Sequence, residues 1–301
     1  MSGKIFKHKA VTILGGTGTL GQALVRHIRQ ELPDLAITIV SRDEHKQAAM
    51  RKHWPELEYV LGDIRRPETF KRAMKRKDVV FHVAALKHVD ILEENPHEAY
   101  KTNVEGTLNA ACLAEANNVP YFLFSSTDKA VDPINAYGYS KAMAEKILFD
   151  LNKKQVTTRF SVYRWGNVIG SQGSVIPTFV KMLREQRKVR VTDPEMTRFW
   201  LPIEWTTRFM LRTFPEAYLD RAMVLPMMKA AKVTQVIESL ASIIGVTSYD
   251  IDVIGMRPGE KLHEVMYSQH DNLELSSDNA VEFEKRELIE LLTPLVVGKC
   301  A

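Results

Sequence analysis

Short runs of β-branched and aromatic residues alternate with longer amphipathic segments through the first half of the chain. These runs predict buried strands at 10–14, 36–40, 57–61, 78–83 and 120–125, and the run at 159–166 predicts a sixth. Helical spacing of apolar residues predicts a helix after the first strand and two long helices at 97–118 and 137–154. Since strands that alternate with helices pair in parallel through right-handed crossovers, the pattern predicts an α/β fold with a Rossmann-type, doubly wound parallel sheet.

The alternation loosens after about residue 171. There the pattern predicts helices at 174–186 and 232–245 and short strands at 189–192 and 249–255. We therefore expect a Rossmann-type domain over residues 1–170 and a smaller C-terminal lobe over residues 171–301, partly interleaved with it. The lobe is expected over the carboxyl edge of the sheet, where such folds bind their ligands.

The composition excludes several classes of protein but does not indicate a particular reaction. The chain has 301 residues, 45% of them hydrophobic, and a net charge of only +4, so no general affinity for polyanions is predicted. The basic stretch 65–77 is interrupted by acidic and apolar residues, which indicates a solvated helix face and no nucleic-acid partner. Cys112 and Cys300 have no metal-ligand spacing, so no metal site is expected and a reducing compartment is favoured. With no signal peptide or membrane span in the sequence, a cytoplasmic protein without a membrane partner is expected.

A glycine-rich turn follows the first predicted strand. Gly15, Gly18 and Gly21 have the spacing G-x-x-G-x-x-G and open the next helix. Glycine permits the tight turn and lets the backbone approach a pyrophosphate, and the N–H groups of the helix start attract that anion. The motif predicts a dinucleotide-binding loop, which also includes Thr17, Thr19 and Leu20.

The residues after the second strand bear on which dinucleotide binds. An acid at this place usually binds the ribose hydroxyls of NAD, but Ser41 and Arg42 occupy it here. A hydroxyl and a guanidinium suit a 2′-phosphate, so NADP is favoured, while Asp43 just beyond keeps NAD open. Asp63 follows the third strand and has two open interpretations: a partner for the adenine amino group, or an N-cap of the next helix.

Tyr137 and Lys141 lie one turn apart on the predicted helix 137–154, so they share one face. A lysine ammonium there can lower the pKa of the tyrosine and hydrogen-bond the nicotinamide ribose, which makes both residues candidates for catalysis and for cofactor binding. Tyr139 faces the other way. Thr127, at the end of the preceding strand, can orient a substrate hydroxyl.

Several longer blocks resemble a known family. The blocks GGTGTLG and NVEGTLN are similar to those of the extended short-chain dehydrogenase/reductases that act on nucleotide sugars. The blocks STDKAVDPINAYGYSK, YRWGNVIGSQGSVIPTF, MTRFW and IGMRPGEKLHEV resemble, more narrowly, the soluble inverting UDP-N-acetylglucosamine 4,6-dehydratases. The resemblance runs in blocks from about residue 9 to residue 267.

The resemblance implies a dehydration. Tyr137 as phenolate would take the proton of the sugar's 4-hydroxyl during oxidation at carbon 4. Asp128 would act as the acid at carbon 6 and Lys129 as the base at carbon 5, so that water is lost before hydride returns to carbon 6. Adjacent residues of an extended strand point to opposite sides, so both can face one sugar only if the chain bends at 128–129.

The resemblance also implies further contacts and an assembly. Residues expected to contact a UDP-sugar are Lys87, Asn167, Arg198, Arg257 and Glu260. Further residues expected on the cofactor side are Ile64, Ala84, Ala85, Lys87 and Asn103. Independently of the resemblance, His82 lies in an apolar strand and is expected to be a core residue with its hydrogen bonds satisfied. A homo-oligomer is expected, either a dimer built from the helices 97–118 and 137–154 or a hexamer.

Two other functions remain open from the sequence. A UDP-sugar 4-epimerase of the same fold needs Thr127, Tyr137 and Lys141 but no acid–base pair for an elimination, so the pair Asp128–Lys129 argues against it. A non-catalytic NADP-binding regulator typically loses the tyrosine or the lysine, and this chain retains both.

Overall fold

The structure is a computed structural model that describes residues 8–154, 157–171, 173–213, 223–267 and 275–297. Two compact units are present, and each consists of two segments of the chain. The first combines Met1–Trp165 with Glu204–Pro226, and the second combines Gly166–Ile203 with Met227–Ala301.

In chain order, the described strands are β1 (Ala10–Leu14), β2 (Ala36–Ser41), β3 (Glu58–Leu61), β4 (Val79–His82), β5 (Tyr121–Ser125), β6 (Arg159–Tyr163), β7 (Asn167–Ile169), β8 (Lys188–Val191), β9 (Thr197–Pro202), β10 (Met223–Val224), β11 (Ala230–Lys232), β12 (Asp250–Val253), β13 (Val265–Tyr267) and β14 (Leu275–Ser276). The described α-helices are α1 (Thr19–Glu31), α2 (Glu44–Arg51), α3 (Pro67–Phe70), α4 (Val89–Glu94), α5 (Pro96–Ala99), α6 (Gly106–Ala116), α7 (Ala136–Lys153), α8 (Val175–Glu185), α9 (Ile203–Thr213), α10 (Val233–Ile243) and α11 (Lys285–Val297).

A seven-stranded sheet forms the centre of the first unit. Its order is β10-β6-β5-β4-β1-β2-β3, and every neighbouring pair is parallel. The order reverses between β1 and β4, so these two strands mark the switch point at which such folds bind ligands. The predicted α/β fold with a Rossmann-type doubly wound sheet is confirmed.

The two units alternate along the chain. Residues 204–226 group with the first unit, because β10 pairs in parallel with β6 and adds a seventh strand to the sheet. The second unit begins at Gly166 and contains the short sheets β11-β9-β7, β12-β8 and β13-β14. Its apolar core is formed largely by α8, α10 and α11.

The predicted single helix at 97–118 is wrong in its middle. It consists of α5, a π-helical segment at Tyr100–Glu105, and α6. The wider π turn is stabilised by Asn103, whose side-chain amide hydrogen-bonds both the N–H and the carbonyl of Leu86 at 2.9 Å.

No helix within the described residues is long and apolar enough to cross a membrane.

Candidate active site

The glycine turn after β1 approaches its surroundings too closely for any side chain. Gly15 has a φ of +82°, and a Cβ placed on it would lie 2.7 Å from the backbone of Ala84. A Cβ on Gly21 would lie 2.5 Å from Gly16 Cα. Gly18 is the N-cap of α1 and has no side chain to cover the first N–H groups. Thr17 is buried beside them, whereas Thr19 and Leu20, in the first turn of α1, are half-buried. The loop is therefore shaped to receive a pyrophosphate at a helix start.

At the end of β2, Asp43 is used as the N-cap of α2. Its carboxylate accepts a hydrogen bond from the N–H of Lys46 at 2.9 Å. Ser41 is held by the side-chain amide of Gln47, which donates to its carbonyl at 2.9 Å and to its Oγ at 3.2 Å. Arg42 is exposed.

Asp63 is paired with Arg65. The guanidinium Nη2 lies 2.6 Å from Asp63 Oδ2, and the backbone N–H of Arg65 also donates to the carboxylate. Burial raises the pKa of Asp63, but the hydrogen bonds and charge of Arg65, together with the charge of Arg42, lower it overall. The alternative of an N-cap is wrong, because the N-cap of α3 is Arg66.

The loop after β4 carries further cofactor candidates. Ala84 lies against Gly15, Ala85 and Lys87 are exposed, and Leu86 is held by Asn103. Asn103 Nδ2 also donates to Ser140 Oγ at 2.9 Å, so Asn103 connects this loop to α7. Ile64 is buried after β3 and packs close to Gly106.

The chain bends at the proposed acid and base. Asp128–Ala130 forms a turn of 3₁₀-helix after β5, and Thr127 caps it by accepting from the N–H of Lys129. Thr127 Oγ1 donates to Asp128 Oδ1 at 2.9 Å, and Lys129 Nζ lies 3.2 Å from the same oxygen. Asp128 is fully buried, and the Lys129 side chain is about one-fifth exposed. The bend that the adjacent pair required is present, and it brings both functional groups together.

Helix α7 packs closely against this turn. Asn135 caps the helix by accepting from the N–H of Gly138 at 2.7 Å. A Cβ on Gly138 would lie 2.2 Å from the carbonyl oxygen of Lys129, so glycine is needed here. Tyr137 is half-buried, whereas Tyr139 points outward, as its helical position predicts.

The electrostatics of Tyr137 differ in one respect from the sequence-based expectation. Burial raises the pKa of Tyr137 to about 12, against the charge of Lys129 and a hydrogen bond with Thr127, which both lower it. The lysine that lowers the pKa of Tyr137 is thus Lys129. Lys141 instead donates to the carbonyl oxygen of Ser125 at 2.5 Å and lies over the Phe124 ring, 3.8 Å from its centroid.

Lys141 is almost completely buried. Burial lowers its pKa to about 7, while the charge of Glu145 raises it. A lysine in this state can lose or gain its proton near neutral pH.

His82 is buried at the end of β4, as expected, but the expectation that its hydrogen bonds are satisfied is wrong for one ring nitrogen, as its tautomer shows. Thr107 Oγ1 donates its one proton to the carbonyl oxygen of Asn103 at 2.7 Å, so His82 Nε2 must donate to Thr107 Oγ1 at 3.0 Å. His82 Nδ1 is then an acceptor, and it has no hydrogen-bond partner among the described residues. Burial and the nearby charge of Lys141 lower the pKa of His82 to about 3, so the ring is neutral.

The second unit carries four of the five substrate candidates. Arg198 is buried and donates to the carbonyl oxygens of Thr197, Leu262 and Lys261 at 2.6, 3.0 and 2.9 Å, so it braces the loop that contains Arg257. Arg257 is exposed on that loop and Glu260 is half-buried, with Glu260 N donating to Arg257 O at 3.1 Å. Asn167 is half-buried at the start of β7.

Sequence reasoning missed one charged pair of the first unit. Glu145, one turn beyond Lys141, is buried and accepts from Arg164, with Nη2 2.8 Å from Oε2 and Nε 3.1 Å from Oε1. A glutamate four residues after Lys141 was a visible signal, because that spacing puts both on one helix face.

The parallel sheet, the glycine turn and the Tyr-x-x-x-Lys helix define a protein of the short-chain dehydrogenase/reductase class. Residues 11–285 match the model of a family described as polysaccharide biosynthesis protein, and the chain belongs to this family.

Similar proteins include enzymes of two reaction types. A UDP-N-acetylglucosamine 4,6-dehydratase (inverting) of Campylobacter jejuni is 38% identical over 275 residues, covering 89% of this chain and 80% of the relative. A UDP-glucose 4-epimerase of Rickettsia bellii is 36% identical over 274 residues, with the same coverage of 89% and 80%. Among solved structures, Pen from Bacillus thuringiensis has a TM-score of 0.88 and 31% identity, covering 96% of this chain and 98% of that one.

Proposed function

We propose that this protein is a UDP-N-acetylglucosamine 4,6-dehydratase that inverts carbon 5, a nucleotide-sugar lyase. The observation that carries the proposal is the turn at 128–130. It puts a buried carboxyl group and an amine within 3.2 Å of each other, beside a tyrosine that shares a hydrogen bond with Thr127. An oxidation and reduction at carbon 4 alone has no use for such a pair, whereas an elimination needs both an acid and a base.

The chemistry begins at Tyr137. The phenolate takes the proton of the sugar's 4-hydroxyl as carbon 4 becomes a ketone, and Thr127 orients that hydroxyl. The bound nicotinamide dinucleotide supplies the acceptor and later the donor of the hydride. Lys141 would hold the nicotinamide ribose through its positive charge, and Lys129, while it is charged, contributes to lowering the pKa of Tyr137.

The elimination follows at carbons 5 and 6. The 4-ketone acidifies the hydrogen of carbon 5, Lys129 as the amine removes it, and Asp128 as the acid protonates the departing 6-hydroxyl. One water is lost, the hydride returns to carbon 6, and a proton of solvent origin is added to the opposite face of carbon 5, while Asp128 and Lys129 are left as carboxylate and ammonium. Moving one proton from Lys129 Nζ to Asp128 Oδ1, across a 3.2 Å contact, turns the ion pair into the amine and acid that this step requires. The complete burial of Asp128 favours that neutral form.

For the cofactor we propose NADP. The proposal is supported by the Asp43 carboxylate, which is engaged as a helix cap, and by the exposed Arg42 next to Ser41, since a cation and a hydroxyl suit a 2′-phosphate. The glycine turn, in which a Cβ would collide with Ala84, fits the pyrophosphate. The remaining cofactor contacts proposed are Thr17, Thr19, Leu20, Asp63, Ile64, Ala85 and Asn103. Direct binding measurements with NADP and NAD test this, and equal or tighter binding of NAD would contradict it.

The UDP-sugar is proposed to contact Lys87, Asn167, Arg257 and Glu260. Arg198 is proposed to serve the same site through the loop it braces, because three of its five guanidinium hydrogens are used by carbonyl oxygens and its Nε lies 3.7 Å from Glu264 Oε1.

The test is the mass of the product from UDP-N-acetylglucosamine. Dehydration removes one water, and in heavy water the product gains deuterium at carbon 5. The relative of Rickettsia bellii makes a UDP-sugar 4-epimerase the second candidate. A product with the mass of the substrate would favour the epimerase. Absence of any turnover that depends on Tyr137 would favour the NADP-binding regulator.

A further inference from the structure

The buried ion pair between Glu145 and Arg164 takes no part in the proposed oxidation and elimination. Both side chains are buried, with 3% and 8% of their side-chain surface exposed. Arg164 meets both carboxylate oxygens of Glu145, at 2.8 to 3.2 Å. Burying two charged groups costs desolvation free energy that their attraction need not repay. Stability alone therefore does not explain why this buried pair is present.

Glu145 connects the pair to the helix that carries the reactive tyrosine and lysine. It lies four residues after Lys141 on α7, so the two side chains share one face of the helix. Lys141 is itself buried, which lowers its pKa, and the negative charge of Glu145 raises that pKa.

Arg164 connects the pair to the turn that carries the acid. The residues on either side of it, Tyr163 and Trp165, accept hydrogen bonds through their carbonyl oxygens. Ser126 N donates to Tyr163 O at 2.6 Å, and Asp128 N donates to Trp165 O at 2.8 Å. The backbone around Arg164 thus fixes the segment that ends in Thr127 and Asp128.

We propose that Glu145 and Arg164 are positioning residues that hold α7 in register with the turn at 128–130, and that Glu145 supplies the negative charge that keeps Lys141 protonated. The pair therefore sets both the geometry and the charge of the candidate active site without touching the sugar. Its catalytic consequence rests on the proposed function, whereas its effect on Lys141 does not.

The groups around Lys141 allow a specific expectation for its titration. Tyr137 and Glu145 lie on its own helix, neutral His82 lies at the end of β4, and the pair Asp128–Lys129 lies on the turn that packs against α7. Glu145 is the group that raises the pKa of Lys141, so Glu145→Gln should lower its titration midpoint, by about one pH unit.

The experiment follows the lysine side chains by NMR in protein with ¹³C-labelled lysine, and Lys141→Met identifies the signal. Asp150→Asn is the matched control, because it removes an exposed carboxylate that pairs with Lys154 on the same helix. The control should leave the Lys141 midpoint unchanged. An unchanged midpoint in folded Glu145→Gln would overturn the electrostatic part of the proposal.

A charge reversal separates position from charge. The double variant E145R/R164E restores an ion pair but puts a cation next to Lys141. It should recover melting temperature relative to either single change, yet keep the Lys141 midpoint low. If Lys141 titrates at the wild-type midpoint in the folded double variant, the pair contributes to the structure only and not to the charge of Lys141. If the reversal does not fold, the neutral pair E145Q/R164Q and the charge-retaining Glu145→Asp provide the same comparison.

The catalytic arm measures dehydration against pH. In Glu145→Gln, the pH above which dehydration declines should fall by the same amount as the Lys141 midpoint, because the proposed reaction needs the charged lysine. If the wild-type protein dehydrates no UDP-sugar, the proposed function fails while the NMR titration still decides the role of the pair. A shifted midpoint with an unshifted pH profile would contradict the catalytic consequence alone.

Discussion

At the scale of single residues, the candidate site depends on burying groups that are normally charged. Asp128 is fully buried, Lys141 is nearly so, and the pKa of Lys141 is lowered to about 7. Burial disfavours charge, so the charge of each of these groups depends on the charged partner beside it, which is Lys129 for Asp128 and Glu145 for Lys141. The turn of 3₁₀-helix at 128–130 brings the adjacent carboxyl group and amine together.

The acid role of Asp128 predicts a selective defect. Asp128→Asn cannot donate the proton to the departing 6-hydroxyl, so dehydration should slow by about a hundredfold or more. Oxidation at carbon 4 should persist, visible as a change of nicotinamide absorbance in a single turnover. Asp132→Asn, the same chemical change at an exposed position of the same loop, serves as the control. Equal loss in both variants would speak against a specific acid.

The neutral His82 predicts sensitivity to acid. Its pKa is about 3 in the folded chain and 6.5 as a free group, so the unfolded chain binds more protons between these values. The contribution of His82 to the free energy of unfolding should therefore be fully present above pH 6.5. Below pH 6.5 it should fall by about 1.4 kcal/mol per pH unit.

His82→Leu should flatten this dependence even though it costs stability at pH 7. Urea unfolding of both proteins at several pH values between 4.5 and 7.5 measures the two slopes. Parallel slopes would mean that His82 does not titrate on unfolding.

At the scale of elements, hydrophobic periodicity predicted the strands β1 to β6, α7, α8 and α10 well, because each buries a regular face. It could not foresee the π turn at 100–105, within which the Asn103 side chain hydrogen-bonds Leu86, 17 residues earlier in the sequence. It also missed the helices α9 and α11, and the strands β7 and β9, which pair with each other across about 30 residues of sequence. Tertiary contacts decide such segments, and periodicity does not report them.

For the candidate site, the sequence predicted the residues but not all of their contacts. Motif and resemblance named Thr127, Asp128, Lys129, Tyr137 and Lys141, and the structure brings the first four together and places Lys141 one turn further along α7. No pattern could predict that Lys141 donates to Ser125, or that Arg198 is occupied by three carbonyl oxygens. These contacts depend on the path of loops that are distant in sequence.

The contact between α7 and the turn predicts a strict need for Gly138. Gly138→Ala would put a methyl group 2.2 Å from the carbonyl oxygen of Lys129, and backbone must move to relieve it. We expect a loss of stability of about 1–3 kcal/mol and a larger loss of dehydration than stability alone explains. Gly106→Ala is the comparison, since the nearest atoms to its methyl belong to the side chain of Ile64 and not to backbone. Chemical unfolding and dehydration activity are measured for both variants. A smaller loss in Gly138→Ala than in Gly106→Ala would contradict the packing argument.

At the scale of the whole molecule, two neighbouring helices of the first unit expose apolar residues. Leu108 and Cys112 on α6 and Tyr139 and Met143 on α7 are all exposed. A face of this kind is typical of an interface between copies, and a homo-oligomer built on these helices stays a prediction.

A charge in that face should weaken self-association. Met143→Glu is expected to shift the protein toward the monomer in sedimentation velocity, because burying the carboxylate between copies is costly. Met227→Glu, at a methionine that is 86% exposed in the other unit, is the matched control and should leave the assembly unchanged. Identical sedimentation of both variants would place the interface elsewhere.

The path of the chain between the two units has a consequence for recombination. The chain passes from one unit to the other at Trp165, Ile203 and Pro226, so neither unit is encoded by one continuous stretch of gene. A chimaera with a homologue that exchanges everything after Trp165 would transfer residues 204–226 as well, and with them the edge strand β10 of the central sheet, whereas a crossover after Pro226 would leave residues 166–203 behind. Transplanting the second unit intact requires two inserts, 166–203 and 227–301, exchanged at once. Library designs that recombine at these three joints should retain folded offspring more often than designs with one cut.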